Sequence, residues 1–169
     1  MKEIKVVKAA PEDAEKILAY SKIIGGETDN LTYGPEGLNT TIEKEQEFIK
    51  NMAESKRRIL FVAKYGDEVV GIADFSSVEH PRIGHRGSMG ISVRKDMWGK
   101  GVGSMLMEHI IDFAKNVAKV DIVALQVRSD NERAIHLYEK YGFEKFGTFK
   151  GYMKIRGKHI DFDFMNLYL

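Results

Sequence analysis

The chain has 169 residues, 26 Lys plus Arg against 25 Asp plus Glu, a formal net charge of +1, 43% hydrophobic residues and no cysteine. That length suits one domain spanning residues 1–169, which buries roughly 70% of the surface its unfolded chain exposes, so a core and a concave site need neither disulfides nor structural metal. The balanced charge gives no bulk drive toward nucleic acid or an anionic membrane, and the missing cysteine removes thiolate nucleophiles and Cys-based zinc sites.

The opening Met1-Lys2-Glu3-Ile4-Lys5-Val6-Val7-Lys8 mixes charge with apolar residues and lacks the roughly 7–15-residue apolar core of a signal peptide. No apolar stretch approaches the roughly 20 residues that span a bilayer, so a soluble, cytoplasmic protein is expected. Residues 2–8 read as a short strand. Pro11 opens a helix with apolar positions Ala14, Ile17, Leu18 and Ile24, and Gly25-Gly26 ends it. The polar stretch from Glu27 to Asn39, with Gly34, Pro35 and Gly37, reads as loop. Thr40 with Glu43 forms a capping box for a second helix, striped by Ile42, Gln46, Ile49, Met52 and Ala53.

The period then changes. Ile59–Tyr65 and Glu68–Val78 are β-rich runs joined at Gly66-Asp67, and Ser88–Val93 makes another strand. Val102, Met105, Leu106, His109, Ile110, Phe113, Ala114 and Val117 form the cleanest amphipathic helix in the chain. Ile122–Val127 is a buried-type strand. Ser129 with Glu132 gives a second capping box, opening a helix with Ala134, Leu137, Tyr138 and Tyr141 on one side and Gly142 past its end. Phe143–Phe149 and Ile160–Tyr168 close the chain as strands linked around Arg156-Gly157-Lys158. The order β-α-α-β-β-β-α-β-α-β-β implies an α/β chain with a mixed sheet and helices on both faces.

The most informative segment is Val93-Arg94-Lys95-Asp96-Met97-Trp98-Gly99-Lys100-Gly101-Val102-Gly103-Ser104, between a strand and the strongest helix. Alternate glycines leave backbone N–H groups unobstructed at a helix N-terminus, an arrangement suited to an anion. The segment lacks the Gly-Lys-Ser/Thr ending of the nucleoside-triphosphate loop, and its third Gly falls too early for the dinucleotide fingerprint. A glycine turn chosen only for tight geometry is the competing explanation.

In this register the segment resembles the pyrophosphate signature of the GCN5-related N-acetyltransferase (GNAT) family: Gln or Arg, two residues, Gly, any residue, then Gly or Ala. Trp98 stands where the family usually has Arg or Gln. The stretch Asn131-Glu132-Arg133-Ala134-Ile135-His136-Leu137-Tyr138-Glu139-Lys140-Tyr141-Gly142-Phe143 is similar to the second family motif. The resemblance implies a mostly antiparallel sheet of about seven strands with a splayed central strand pair, and acetyl-coenzyme A as cosubstrate. It implies that the amides of Gly99, Lys100, Gly101, Val102, Gly103 and Ser104 cradle the pyrophosphate beside Trp98. The strand edge Ile91, Ser92 and Val93 holds the pantetheine arm, with the Ile91 amide near the thioester oxygen. Asn131, Ala134 and Lys140 complete the cofactor contacts, and Tyr138 donates a proton toward the departing sulfur.

Many relatives carry a glutamate in the fourth strand at what is here Ser88, and serine does not accept a proton at neutral pH. Glu27, in the segment that usually borders the acceptor pocket of this family, is the candidate base, with His85 and Glu79 as weaker alternatives. The remaining histidines show no ligand spacing, so no metal is expected. The function expected is acetyl transfer from acetyl-coenzyme A to a primary amine of a small molecule or peptide, by direct transfer in a ternary complex. A non-catalytic acyl-coenzyme A sensor or assembly module of the same fold is the alternative. No nucleic-acid or membrane partner is expected. The apolar C-terminal segment Ile160–Leu169 points to a homodimer.

Overall fold

The computed structural model describes residues 3–169; position 2 of the first expected strand lies outside them. Seven strands form one sheet in the order β1-β2-β3-β4-β5-β7-β6. They are β1 (Ile4–Lys8), β2 (Arg58–Tyr65), β3 (Glu68–Ser77), β4 (Arg86–Val93), β5 (Ile122–Arg128), β6 (Glu144–Ile155) and β7 (Lys158–Tyr168). Every pairing is antiparallel except β4 with β5. The helices are α1 (Ala14–Glu27), α2 (Ile42–Ala53), α3 (Val102–Asp112) and α4 (Glu132–Lys140).

Strand alternation divides the apolar residues between two cores. Phe61, Ala73, Phe75, Met89 and Val123 meet Leu106, Met107, Ile110 and Tyr138 on the face covered by α3 and α4. Leu60, Val62 and Val69 meet Ile17, Tyr20, Ile24, Ile49 and Met52 on the face covered by α1 and α2. The second face carries the polar residues that matter below.

Three element ends differ from the sequence reading. Gly25-Gly26 does not end α1, which continues to Glu27. A Cβ on Gly25 would collide with the backbone carbonyl of Gly34, so this glycine admits the following loop against the helix rather than breaking it. Thr41, not Thr40, caps α2: its Oγ1 accepts from the Lys44 amide at 3.3 Å. The buried positions of this helix are Glu45, Ile49 and Met52, whereas Ile42, Gln46 and Ala53 of the expected stripe are exposed. Asn131, not Ser129, caps α4, its Oδ1 accepting from the Ala134 amide at 3.3 Å. Ser129 instead donates its hydroxyl to Asp163 at 2.7 Å. Smaller shifts occur at Pro11–Asp13, a 3₁₀ turn before α1, and at Phe113–Val117, a π turn that closes α3.

The decisive feature lies in mid-sheet. β4 pairs with β5 only over Arg86–Ser88 against Ile122–Ala124. Beyond Ser88 the strands part, β4 continuing along β3 to Val93 and β5 along β7 to Arg128. One edge of Met89–Val93 is left without a strand partner, inside the molecule.

Candidate functional site

A cavity of about 1430 Å³ runs through this gap. At one mouth lies the turn before α3. Gly99 has φ +75° and Gly101, the residue capping α3, has φ +80°. In this left-handed region a side chain costs about 1–2 kcal/mol. None of the amides of residues 99–104 finds an acceptor among the described residues. Free donors and the positive end of the α3 dipole therefore converge on one spot.

Trp98 gives this mouth a second feature. Its indole N–H donates to the Val93 carbonyl at 3.0 Å, and its ring lies 4.6 Å from the Arg133 guanidinium and 5.9 Å from the Lys95 ammonium. The tryptophan carries no charge itself but holds two cations beside the free amides. A pyrophosphate-sized anion fits this combination.

Of the residues expected at the site, Glu27, Ile91, Ser92, Val93, Trp98, Gly99, Gly101, Val102, Gly103, Ser104, Asn131, Ala134, Tyr138 and Lys140 all line the cavity. Lys100 does not: its ammonium turns back toward the Met97 sulfur at 3.8 Å. Ser92 is hydrogen-bonded through its hydroxyl to Tyr20 at 2.9 Å, so only its backbone faces a ligand along β4. Asn131 Oδ1 is engaged in the cap of α4, leaving its amide nitrogen for other partners. Glu79 and His85 lie away from the cavity lining.

Tyr138 is buried, 6% exposed, and its ring meets Phe143 at 5.8 Å between centroids. Its hydroxyl has no hydrogen-bond partner among the described residues, although the residue lines the cavity. Burial holds this phenol well above its ordinary pKa, so it stays protonated and able to donate.

The carboxylates were only partly foreseen. Glu27 is exposed, at the end of α1, and its Oε2 accepts from the Lys95 amide at 2.9 Å, tying α1 to the chain after β4. Asp74, on β3, escaped the sequence reading. It pairs with Gly90 in register, two residues from the Ser88–Ser76 pair on the same face. A Cβ on Gly90 would lie 2.8 Å from Asp74 Oδ1. The aspartate thus lies over a glycine of β4, a diagonal neighbour of Ser88 at roughly 7–8 Å between backbones. Asp74 is exposed, lining the cavity, yet the cavity walls around it partly desolvate its carboxyl. This desolvation pushes its carboxyl up to about 6. Tyr33, raised by its own burial, is raised further by the charge of Asp74.

Among the described residues no group of three His, Cys, Asp or Glu side chains is placed to hold a metal ion. No helix among them is long and apolar enough to cross a membrane.

Comparison with known proteins agrees with this geometry. Residues 29–143 match the acetyltransferase (GNAT) family. The chain is 38% identical over 104 residues to L-amino acid N-acetyltransferase AaaT of Escherichia coli, covering 62% of this chain and 64% of that one. It is 30% identical over 95 residues to N-alpha-acetyltransferase RimI of Mycobacterium tuberculosis, covering 56% and 58%. The chain therefore spans less than two thirds of these relatives. A GNAT-family acetyltransferase structure from Streptococcus pneumoniae superposes with a TM-score of 0.94 at 29% identity, covering 99% of this chain and 100% of that one. The structure of yncA from Salmonella typhimurium with its cofactor acetyl-CoA superposes at 0.84, covering 98% and 94%; at 18% identity it shows the fold alone. With its free-amide turn, parted strands and a family match over more than half its length, this chain belongs to the GNAT acetyltransferase family.

Proposed function

We propose that the protein, acting as one domain over residues 1–169, transfers an acetyl group from acetyl-coenzyme A to a primary amine of a small molecule or peptide, directly and within a ternary complex. The observation that carries this reading is the cavity between β4 and β5, with unpartnered amides at its glycine turn and Asp74 in its lining. Acetyl-coenzyme A supplies the activated acyl group as a thioester. The amides of residues 99–104, Arg133 and Lys95 suit its pyrophosphate. The free edge of β4 suits the pantetheine amides, and the Ile91 amide is assigned to the thioester oxygen. Asp74, rather than Glu27, is assigned to hold the substrate ammonium and take its proton, because Glu27 is already engaged by the Lys95 amide. The C–N bond then forms, the C–S bond breaks as the Tyr138 hydroxyl protonates the departing thiolate, and the second proton shed by the nitrogen returns through solvent to the Tyr138 oxygen. A sensor of the same fold has no use for a carboxylate raised toward neutrality in the acceptor half, which favours the enzyme over that alternative.

Incubation of the protein with acetyl-coenzyme A and a pooled amine library tests this reading. Thiol release accompanied by an acetylated amine supports it; coenzyme A binding without any transfer overturns it. For the cradle, Gly101→Val is expected to weaken coenzyme A binding at least about tenfold through the strain at this left-handed position and the displaced amides. Unchanged affinity by calorimetry would remove the assignment of the turn to the pyrophosphate.

We also propose a homodimer. Phe146 and Phe149 on the edge strand β6 are 65% and 52% exposed and pack against Phe164 of β7, together with Tyr152, which reaches the cavity lining. A contiguous aromatic face of this kind favours burial against a second copy. Sedimentation at micromolar concentration should give twice 19.2 kDa; a single monomeric species with full activity overturns the dimer.

A further inference from the structure

The acceptor half of the cavity is electrically one-sided. Its lining from α1, α2, the loop between them, β2 and β3 includes three carboxylates, Glu27, Glu45 and Asp74, and no Lys, Arg or His. Glu45 is the unexpected member. It is only 6% exposed, yet it has no hydrogen bond or ion pair through its side chain among the described residues. Burial alone acts on it, raising its pKa. Among the described residues no sealed side-chain polar atom is left without a partner, so the Glu45 oxygens keep contact with water where the residue lines the cavity. A desolvated carboxylate without a partner is costly. Among the described residues no side chain pairs with it to offset this cost.

Register places Glu45 relative to Asp74. Asp74 pairs with Leu60 across β2 and β3, and Leu60 shares its core cluster with Ile49 and Met52 of α2. Glu45 precedes Ile49 by one helical turn and Met52 by nearly two, about 10 Å along the axis. Asp74 and Glu45 line the same cavity, and the apolar Leu60 and Met52 line it with them.

We propose that Glu45 receives a second cationic group of the acceptor, so that the preferred substrate is an amine carrying another positive charge across an apolar spacer. The inference rests on the acyl-transfer reading of the site. In this arrangement Asp74 faces the reacting nitrogen, and Glu45 forms a charge-assisted hydrogen bond to the distal one. An acceptor with a distal carboxylate, such as an amino acid, meets like charge at the same place.

The test uses the full chain and acetyl-coenzyme A with α,ω-diamines of three to eight carbons, against n-alkylamines and ω-amino acids of matching length. The best diamine should exceed its alkylamine in kcat/KM at least about tenfold, with the amino acid lowest. In Glu45→Gln that advantage should fall to within about twofold, mainly through KM, while the melting temperature stays level or rises because a buried charge has gone. Equal use of diamine and alkylamine, or a uniform fall across all acceptors in Glu45→Gln, overturns the proposal and leaves the acyl-transfer reading standing. If no amine is acetylated, that reading fails by itself. Calorimetric titration of the diamine into the coenzyme A complex then still decides: about tenfold weaker binding in Glu45→Gln supports the cation site, and equal binding overturns it.

Discussion

Asp74→Asn is expected to lower kcat by about 10²–10⁴-fold, the range a positioned general base contributes. The wild-type rate should climb with pH through about 6 and then level. Below that value the carboxyl is protonated and accepts nothing; above it the carboxylate is charged and available. The variant should lose this limb altogether, since an amide does not titrate. Gly90→Ala approaches the same point differently: its new Cβ would stand 2.8 Å from Asp74 Oδ1, so the carboxylate must swing aside. Activity should fall while coenzyme A affinity holds. A fully active Asp74→Asn enzyme with an unchanged pH limb would return the base to Glu27.

Tyr138→Phe is expected to reduce kcat by about 10–10³-fold with little change in KM for acetyl-coenzyme A, because the hydroxyl acts on the departing sulfur and not on the bound ground state. Among the described residues the hydroxyl has no partner, so its removal leaves no orphaned group behind. Stability should therefore stay within about 0.5 kcal/mol by chemical denaturation. That pairing separates a proton donor from a side chain that merely fills the core against Phe143. Equal turnover in the variant would leave Tyr138 with the packing role alone.

The element order and the glycine turn were legible in the sequence because each signal is local, a periodicity or a spacing; Tyr138 was singled out only by the likeness of its helix to the family motif, and it lines the cavity. Asp74 was not, and the reason is physical. Its importance comes from facing a glycine on β4, beside a serine where many relatives have a carboxylate, and that coincidence exists only once β3 and β4 are in register. Glu45 was hidden because a charged residue is not counted into an apolar stripe: in place of the stripe expected through Ile42 and Gln46, the buried face of α2 runs through Glu45, Ile49 and Met52. Trp98 looked like a loss of charge at the anion site. Its compensation is Arg133, thirty-five positions away in sequence and 4.6 Å away in space.

The parting of β4 and β5 also means that the sheet is not one mechanical unit. Three register pairs join its two halves before the gap, and the unpartnered edge of Met89–Val93 should exchange its amide hydrogens faster than the same residues' neighbours in β3. A ligand lying in the gap acts as the absent strand. It couples the halves, protects those amides and adds stability that grows with the logarithm of its concentration. Under the proposed function that ligand is acetyl-coenzyme A, and the protein's melting temperature should rise with its concentration.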